Sequence, residues 1–312
     1  MKHDRNEQDS TRSSNKTAAG KHKLRSSKGT STLIQEERRF LLTTKSSFFS
    51  REAYNMLRTN LSFALAEAGD SKMVMITSAM QGEGKSITAA NLAITLSDAG
   101  LHVLLLDCDL RRPKLGRLLS LKADAGLSDI LIRPELLSSN IRRYCKGLDV
   151  ILAGSIPPNP SELLNSARME ALLKKLREYY DYIILDTPPI GMVTDAAVLA
   201  GQTDGVLFVV RTGESERGPV MQAVERLEYA NARILGFVMT CVPLENTNYA
   251  YRKHRYGYRH SQYRRYGKYG YSKYGYGKYG YGYGYGYGYG SRAENRERFE
   301  SAVYDEEKDT ND

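Results

Sequence analysis

The stretch Ala79-Met80-Gln81-Gly82-Glu83-Gly84-Lys85-Ser86 has residue types and a spacing suited to gripping a phosphate. Glycines let main-chain N–H groups close around phosphate oxygens, and a helix opening at Ser86 adds the partial positive charge of its N-terminus. Lys85 supplies a point charge for the β and γ phosphates, and the Ser86 hydroxyl is a ligand for Mg²⁺. The stretch fits the P-loop pattern, with Ala79 standing where the pattern has its first glycine. Gln81, Gly82, Glu83, Gly84, Lys85, Ser86 and Ile87 are therefore the expected nucleotide contacts.

Two further segments carry acids at the ends of apolar runs. Leu104-Leu105-Leu106-Asp107-Cys108-Asp109 places two carboxylates two residues apart, followed by Arg111 and Arg112. Alone, such acids have a lesser alternative, capping a helix or pairing with those arginines. Ile183-Ile184-Leu185-Asp186 ends in a single acid, the arrangement in which a carboxylate holds the metal of a P-loop site directly or through water. Three such ends in one sheet point to ATP and Mg²⁺ as cofactors, with Ser86, Asp107 and Asp186 as candidate metal ligands.

The elements that must position these groups alternate along the chain. Apolar runs at 73–77, 102–106, 148–153, 182–185, 205–210 and 234–239 read as strands buried on both faces. Amphipathic stretches at 86–99, 160–179, 195–200 and 218–230 read as helices between them, with a leading helix over 50–68. The expected fold is α/β: a P-loop NTPase with a mostly parallel sheet and helices on both faces. Ligands bind such sheets beyond the carboxyl ends of the strands, where all three motifs fall.

Composition bounds the rest. The 312 residues carry a net charge of +9, unevenly spread. Residues 1–45 hold eleven Lys or Arg against five acids, 251–292 ten against none, and 293–312 three against eight, leaving 21 bases and 23 acids in 46–250. The basic excess thus sits outside the apolar middle, in segments that would be drawn to anionic surfaces. The division expected is a disordered basic tail at 1–45, a catalytic domain at 46–248, a Tyr/Gly-rich tail at 249–292 and an acidic, disordered C-terminus at 293–312. Three scattered cysteines, Cys108, Cys145 and Cys241, form no disulfide framework or Cys-pair zinc site. No apolar run reaches the length of a membrane span or a secretory signal, so a cytoplasmic protein is expected.

Residues 46–245 resemble the bacterial tyrosine kinases, P-loop enzymes that regulate capsule and exopolysaccharide synthesis. The matching stretches are Glu52-Ala53-Tyr54 through Arg58-Thr59-Asn60, the P-loop, the segment from Leu104 to Pro113, Gly126-Leu127-Ser128-Asp129, Gly154 with Pro157 to Leu164, and Ile183 to Pro189. The resemblance implies a protein-tyrosine kinase in which Lys85, Asp107 and Asp109 are catalytic. Asp107 would be the general base towards a tyrosine hydroxyl, with Asp109 supporting, though a metal-ligand role for Asp107 stays open. It also implies a separate membrane-protein activator of polysaccharide chain-length control, ring-like self-association, an opposing tyrosine phosphatase and protein substrates in the polysaccharide pathway. The expected location is then the inner face of the cell membrane, held peripherally. Two positions depart from the family pattern: Asn55 replaces an arginine of a run tied to self-association, and Thr240 replaces an asparagine that faces the base.

Sixteen tyrosines lie between Tyr249 and Tyr289, alternating with Gly, Arg and Lys. Beside a kinase-like domain they read as phospho-acceptors, in particular Tyr269, Tyr271, Tyr274, Tyr276, Tyr279, Tyr281, Tyr283, Tyr285, Tyr287 and Tyr289. Beside an inert domain the same composition would read as an RNA-binding or self-associating tail. Two rivals therefore stand: a partition or septum-type ATPase, whose loop carries a second lysine where this chain has Met80, and a nucleotide-binding scaffold with an RNA-binding tail. The kinase reading makes nucleic acid an unexpected partner.

Overall fold

The computed structural model describes residues 37–243. Expectations for 1–36 and 244–312, including every tail tyrosine, lie outside the described residues. Seven strands form one sheet: β1 (Lys72–Ser78), β2 (Val103–Asp107), β3 (Arg142–Cys145), β4 (Leu148–Ile151), β5 (Tyr182–Asp186), β6 (Gly205–Arg211) and β7 (Ile234–Thr240). Their order across the sheet is β3-β4-β2-β5-β1-β6-β7. Every neighbouring pair is parallel except β3 with β4. The helices are α1 (Phe48–Ala64), α2 (Lys85–Asp98), α3 (Leu115–Leu119), α4 (Leu127–Ile132), α5 (Pro160–Leu164), α6 (Ala167–Leu176), α7 (Asp195–Ala200) and α8 (Arg217–Tyr229).

The continuous Val, Ile and Leu runs follow from burial on both sides. β1, β2 and β5 form the centre of the sheet, and alternate residues along them feed two separate cores. Met73, Met75, Leu104, Leu106, Ile183 and Leu185 face the side covered by α4, α6, α7 and α8. Val74, Ile76, Val103, Leu105 and Ile184 face the side covered by α1, α2 and α3. An α/β sheet layered between helices is the architecture expected from the alternation.

Three details differ from the sequence expectation. The helix expected over 160–179 is two, because the Ser166 hydroxyl accepts a hydrogen bond from the Met169 N–H at 3.3 Å and starts α6 afresh. The edge strand β3, Arg-Arg-Tyr-Cys, is polar and four residues long, so it carries no apolar signal; Gly147, at φ +81°, turns the chain back into β4. The packed unit also begins before 46. Leu41 is buried, and Asn91 of α2 clasps the segment ahead of α1, accepting from the Leu42 N–H at 2.7 Å and donating to the Phe40 carbonyl at 2.9 Å.

Candidate active site

β1 delivers the loop 79–84 at the carboxyl edge of the sheet, directly before α2. Within the loop the left-handed conformations fall at Gly82 (φ +83°) and Gly84 (φ +96°), where a side chain would be strained. Ala79 takes no such conformation, which is why an alanine can replace the pattern's first glycine. The N–H groups opening α2, at Lys85, Ser86 and Ile87, have no preceding helical turn to bond to, and the first turn closes only at Thr88, which donates to the Gly84 carbonyl at 2.9 Å. Lys85 is 8% exposed. Its pKa is lowered by burial, a pull opposed by the charges of Asp186 and Asp109.

Asp107 and Asp186 are the last residues of adjacent parallel strands and sit opposite each other in the register. Both are buried, which favours their protonated forms. Burial, then the neighbouring charges of Asp186 and Asp109, push Asp107 well above the usual carboxylate range. Its oxygens accept from the main-chain N–H groups of Asp109, at 3.2 Å, and Leu115, at 3.3 Å. Asp186 is likewise pushed up by burial, and the nearby Ser86 hydroxyl and Lys85 charge pull it back. The hydroxyl is close enough to favour the charged carboxylate, yet both Asp186 oxygens are buried without hydrogen-bond geometry to any described group.

An orphaned buried carboxylate beside a hydroxyl is the donor set that Mg²⁺ takes in phosphate sites, where water and phosphate complete the coordination. Among the described residues no three His, Cys, Asp or Glu side chains form a cage of their own.

The expected site residues thus gather at one edge of the sheet, with two differences of role. The Glu83 carboxylate turns inward. It accepts from the Met80 N–H at 2.7 Å and from the Ser215 hydroxyl, so it braces the loop. The Ile87 side chain packs into the α2-side core, leaving only its main chain for a ligand. Sequence reasoning missed the outer half of the brace. Arg211 at the end of β6 donates to the Gly82 carbonyl at 2.9 Å, and Thr240 at the end of β7 donates to the Glu83 carbonyl at 2.8 Å. These partners are more than a hundred residues away from the loop in sequence, and only the order β1-β6-β7 makes them neighbours.

Beyond Asp109, the two arginines take different positions. Arg111 makes a bidentate pair with the fully buried Asp195, at 2.7 and 2.9 Å, and Ser161 donates to the same carboxylate. Arg112 reaches over the loop instead, donating to the Gln81 side-chain oxygen at 2.8 Å. On α1, Asn55 donates to Glu52 at 2.9 Å and Arg58 to the Thr95 carbonyl at 3.3 Å, so this run is engaged within its own chain.

The family described as "AAA domain" matches residues 71–231, just over half of the chain. "Tyrosine-protein kinase YwqD" of Bacillus subtilis is 38% identical over 217 residues, 69% of this chain and 91% of the relative. The chain belongs to the bacterial tyrosine kinases. "Putative tyrosine-protein kinase CapB" of Staphylococcus aureus is 35% identical over 202 residues, 64% of this chain and 88% of the relative. Among solved structures, the kinase domain of Escherichia coli tyrosine kinase ETK superposes with a TM-score of 0.58 at 37% identity, covering 62% of this chain and 78% of the other. The tyrosine kinase described here is therefore built on a P-loop sheet and lacks the Gly-rich-loop arrangement of the other protein kinases in its described residues. No described helix of the kinase is long and apolar enough to cross a membrane.

Proposed function

We propose that this tyrosine kinase transfers the γ-phosphoryl of ATP to tyrosines of its own C-terminal cluster, including Tyr269 to Tyr289, and to proteins of capsule or exopolysaccharide synthesis. The observation that carries the reading is the bare Asp186 carboxylate beside Ser86, one strand from Asp107 and at the mouth of the phosphate loop. The loop amides and Lys85 would bind the phosphates, and Ser86 and Asp186 would hold Mg²⁺, which neutralises phosphate charge and orients the terminal phosphoryl. The tyrosine oxygen bonds to phosphorus, the bond from phosphorus to the β-phosphate oxygen breaks, and ADP leaves. The phenolic proton passes to Asp107, whose raised proton affinity and two main-chain restraints support the role of base, with Asp109 beside it.

The tail joins substrate and switch. Each phosphotyrosine adds roughly −1.5 to −2, so modifying all sixteen would take the +10 segment 249–292 to about −14 to −22. The unmodified tail would dock on an acidic surface of a neighbouring copy or a partner, and the modified tail would be expelled. A membrane-bound activator, an opposing phosphatase and a peripheral place at the inner membrane face complete the reading. They rest on the family resemblance.

The test is direct. Purified protein given ATP and Mg²⁺ should accumulate phosphotyrosine in 249–292, and Lys85→Met or Asp107→Ala should abolish it. Phosphotyrosine persisting in Lys85→Met protein would sink the proposal. Equal oligomer size before and after full phosphorylation would remove the switch while leaving the kinase.

A further inference from the structure

Arg111 and Arg112 are chemically identical neighbours on the loop leaving β2, yet the fold treats them oppositely. Arg111 is neutralised by a buried carboxylate that grips both of its donating nitrogens. Arg112 is exposed, and among the described residues its guanidinium has no carboxylate partner and a single hydrogen bond, to the neutral Gln81 amide. Its main chain, by contrast, is fixed: the Arg112 N–H donates to Asp109 Oδ1 at 3.0 Å. The residue is therefore tethered to the acid pair at its base and touches the phosphate loop at its tip.

Position and charge together define a role. Gln81 lies on the outer part of the loop, before Gly82, while Lys85 lies at its buried inner end. A residue held at Asp109 by its main chain and at Gln81 by its guanidinium stands between the acid pair and the outer part of the phosphate loop. During transfer, charge spreads over the three equatorial oxygens of the terminal phosphoryl, and a fork of N–H donors placed there stabilises it more than it stabilises the ground state. The Gln81 contact is weak enough to exchange: an exposed hydrogen bond to a neutral amide gives way to one with a doubly charged phosphate.

We propose that Arg112 is a catalytic residue, an arginine supplied in cis whose guanidinium leaves Gln81 to bind the phosphoryl in flight. This rests on the loop being the ATP site. It adds a second cation, at the rim, to Lys85 in the floor.

Full-length protein decides it through kcat, KM for ATP and ADP affinity in parallel. Arg112→Gln should lower kcat by about a hundredfold while leaving ADP affinity within about twofold, because ADP lacks the phosphoryl that the arginine contacts. Arg112→Lys should recover about tenfold of the loss, since the charge returns without the fork. Mere bracing of the loop would instead weaken ADP binding along with kcat, since the loop holds the phosphates of both nucleotides. Arg112→Gln with near-normal kcat, or with ADP affinity falling as far as kcat, overturns the proposal while the ATP site stands. Failure of the parent protein to bind ADP or ATP with Mg²⁺ removes the ATP site and this inference together.

Discussion

The two ends of the parallel sheet hold the same residue type in opposite states. At the amino ends, acids are saturated. Asp204 accepts from the Met73 N–H at 2.6 Å and from Arg177 at 2.8 and 3.1 Å, and Asp181 accepts from the His102 N–H at 2.8 Å. At the carboxyl ends, Asp107 and Asp186 face each other, buried and charge-strained, and Asp186 has no hydrogen-bond partner among the described residues. A saturated acid is a fastening, because its bonds are complete without any ligand. An unsaturated one is stable only in company, which is the mark of a site.

The widest separation of the two ends comes from Lys85→Met. Removing the cation buried at the phosphate loop should cut phosphoryl transfer by about a thousandfold or more while leaving the melting temperature near that of the parent. A variant that loses activity only because it unfolds would erase the distinction. Asp204→Ala should behave in reverse. It takes an acceptor from a main-chain N–H and from Arg177, costing about 2–3 kcal/mol of stability. Activity per folded molecule should stay within about twofold, and a change in KM for ATP would contradict the assignment of that end to structure alone.

How far this division was legible in sequence depends on what each residue needed. The loop, the Asp107–Asp109 pair and Asp186 are each readable because the apolar strand and its terminal acid are contiguous. The sheet class was readable for the same reason. Arg211, Ser215 and Thr240 were not, since their use is set by strand order and not by neighbours in sequence. Asp195 read only as the first residue of a helix, and its burial against Arg111 is a tertiary fact. β3 escaped because a polar, half-buried four-residue edge has little apolar surface to pattern.

The strain at the carboxyl end has a pH signature. Asp186 rises from 3.8 to about 7 on folding, so its protonated form is preferred in the folded state. That preference contributes stability fully below pH 4 and loses it as pH rises through 7. Asp186→Asn removes the penalty. The nucleotide-free variant should therefore be more stable than the parent by about 4 kcal/mol at pH 8, a shift of roughly 8–16 °C in melting temperature, and by less than half of that at pH 5. Mg²⁺ with ADP should then stabilise the parent and not the variant. A variant no more stable than the parent at pH 8 would show that the acid pair is not strained at all.

The smallest effect is the most informative about the brace. Thr240 ends β7, and its hydroxyl donates to the Glu83 carbonyl at 2.8 Å while its methyl packs 3.2 Å from where a Cβ on Gly84 would lie. Thr240→Val keeps the packing and deletes the hydroxyl, so it should loosen the loop by about 1 kcal/mol. Because the loop holds phosphate in both ground and transition states, that loss is uniform: KM for ATP should rise about fivefold with kcat unchanged. ADP affinity should fall by the same factor. This is the converse of the pattern expected for Arg112→Gln, where kcat falls and ADP affinity holds. If Thr240→Val lowers kcat instead, the brace acts on the transferring phosphoryl, and the carboxyl end must be divided differently from floor and rim.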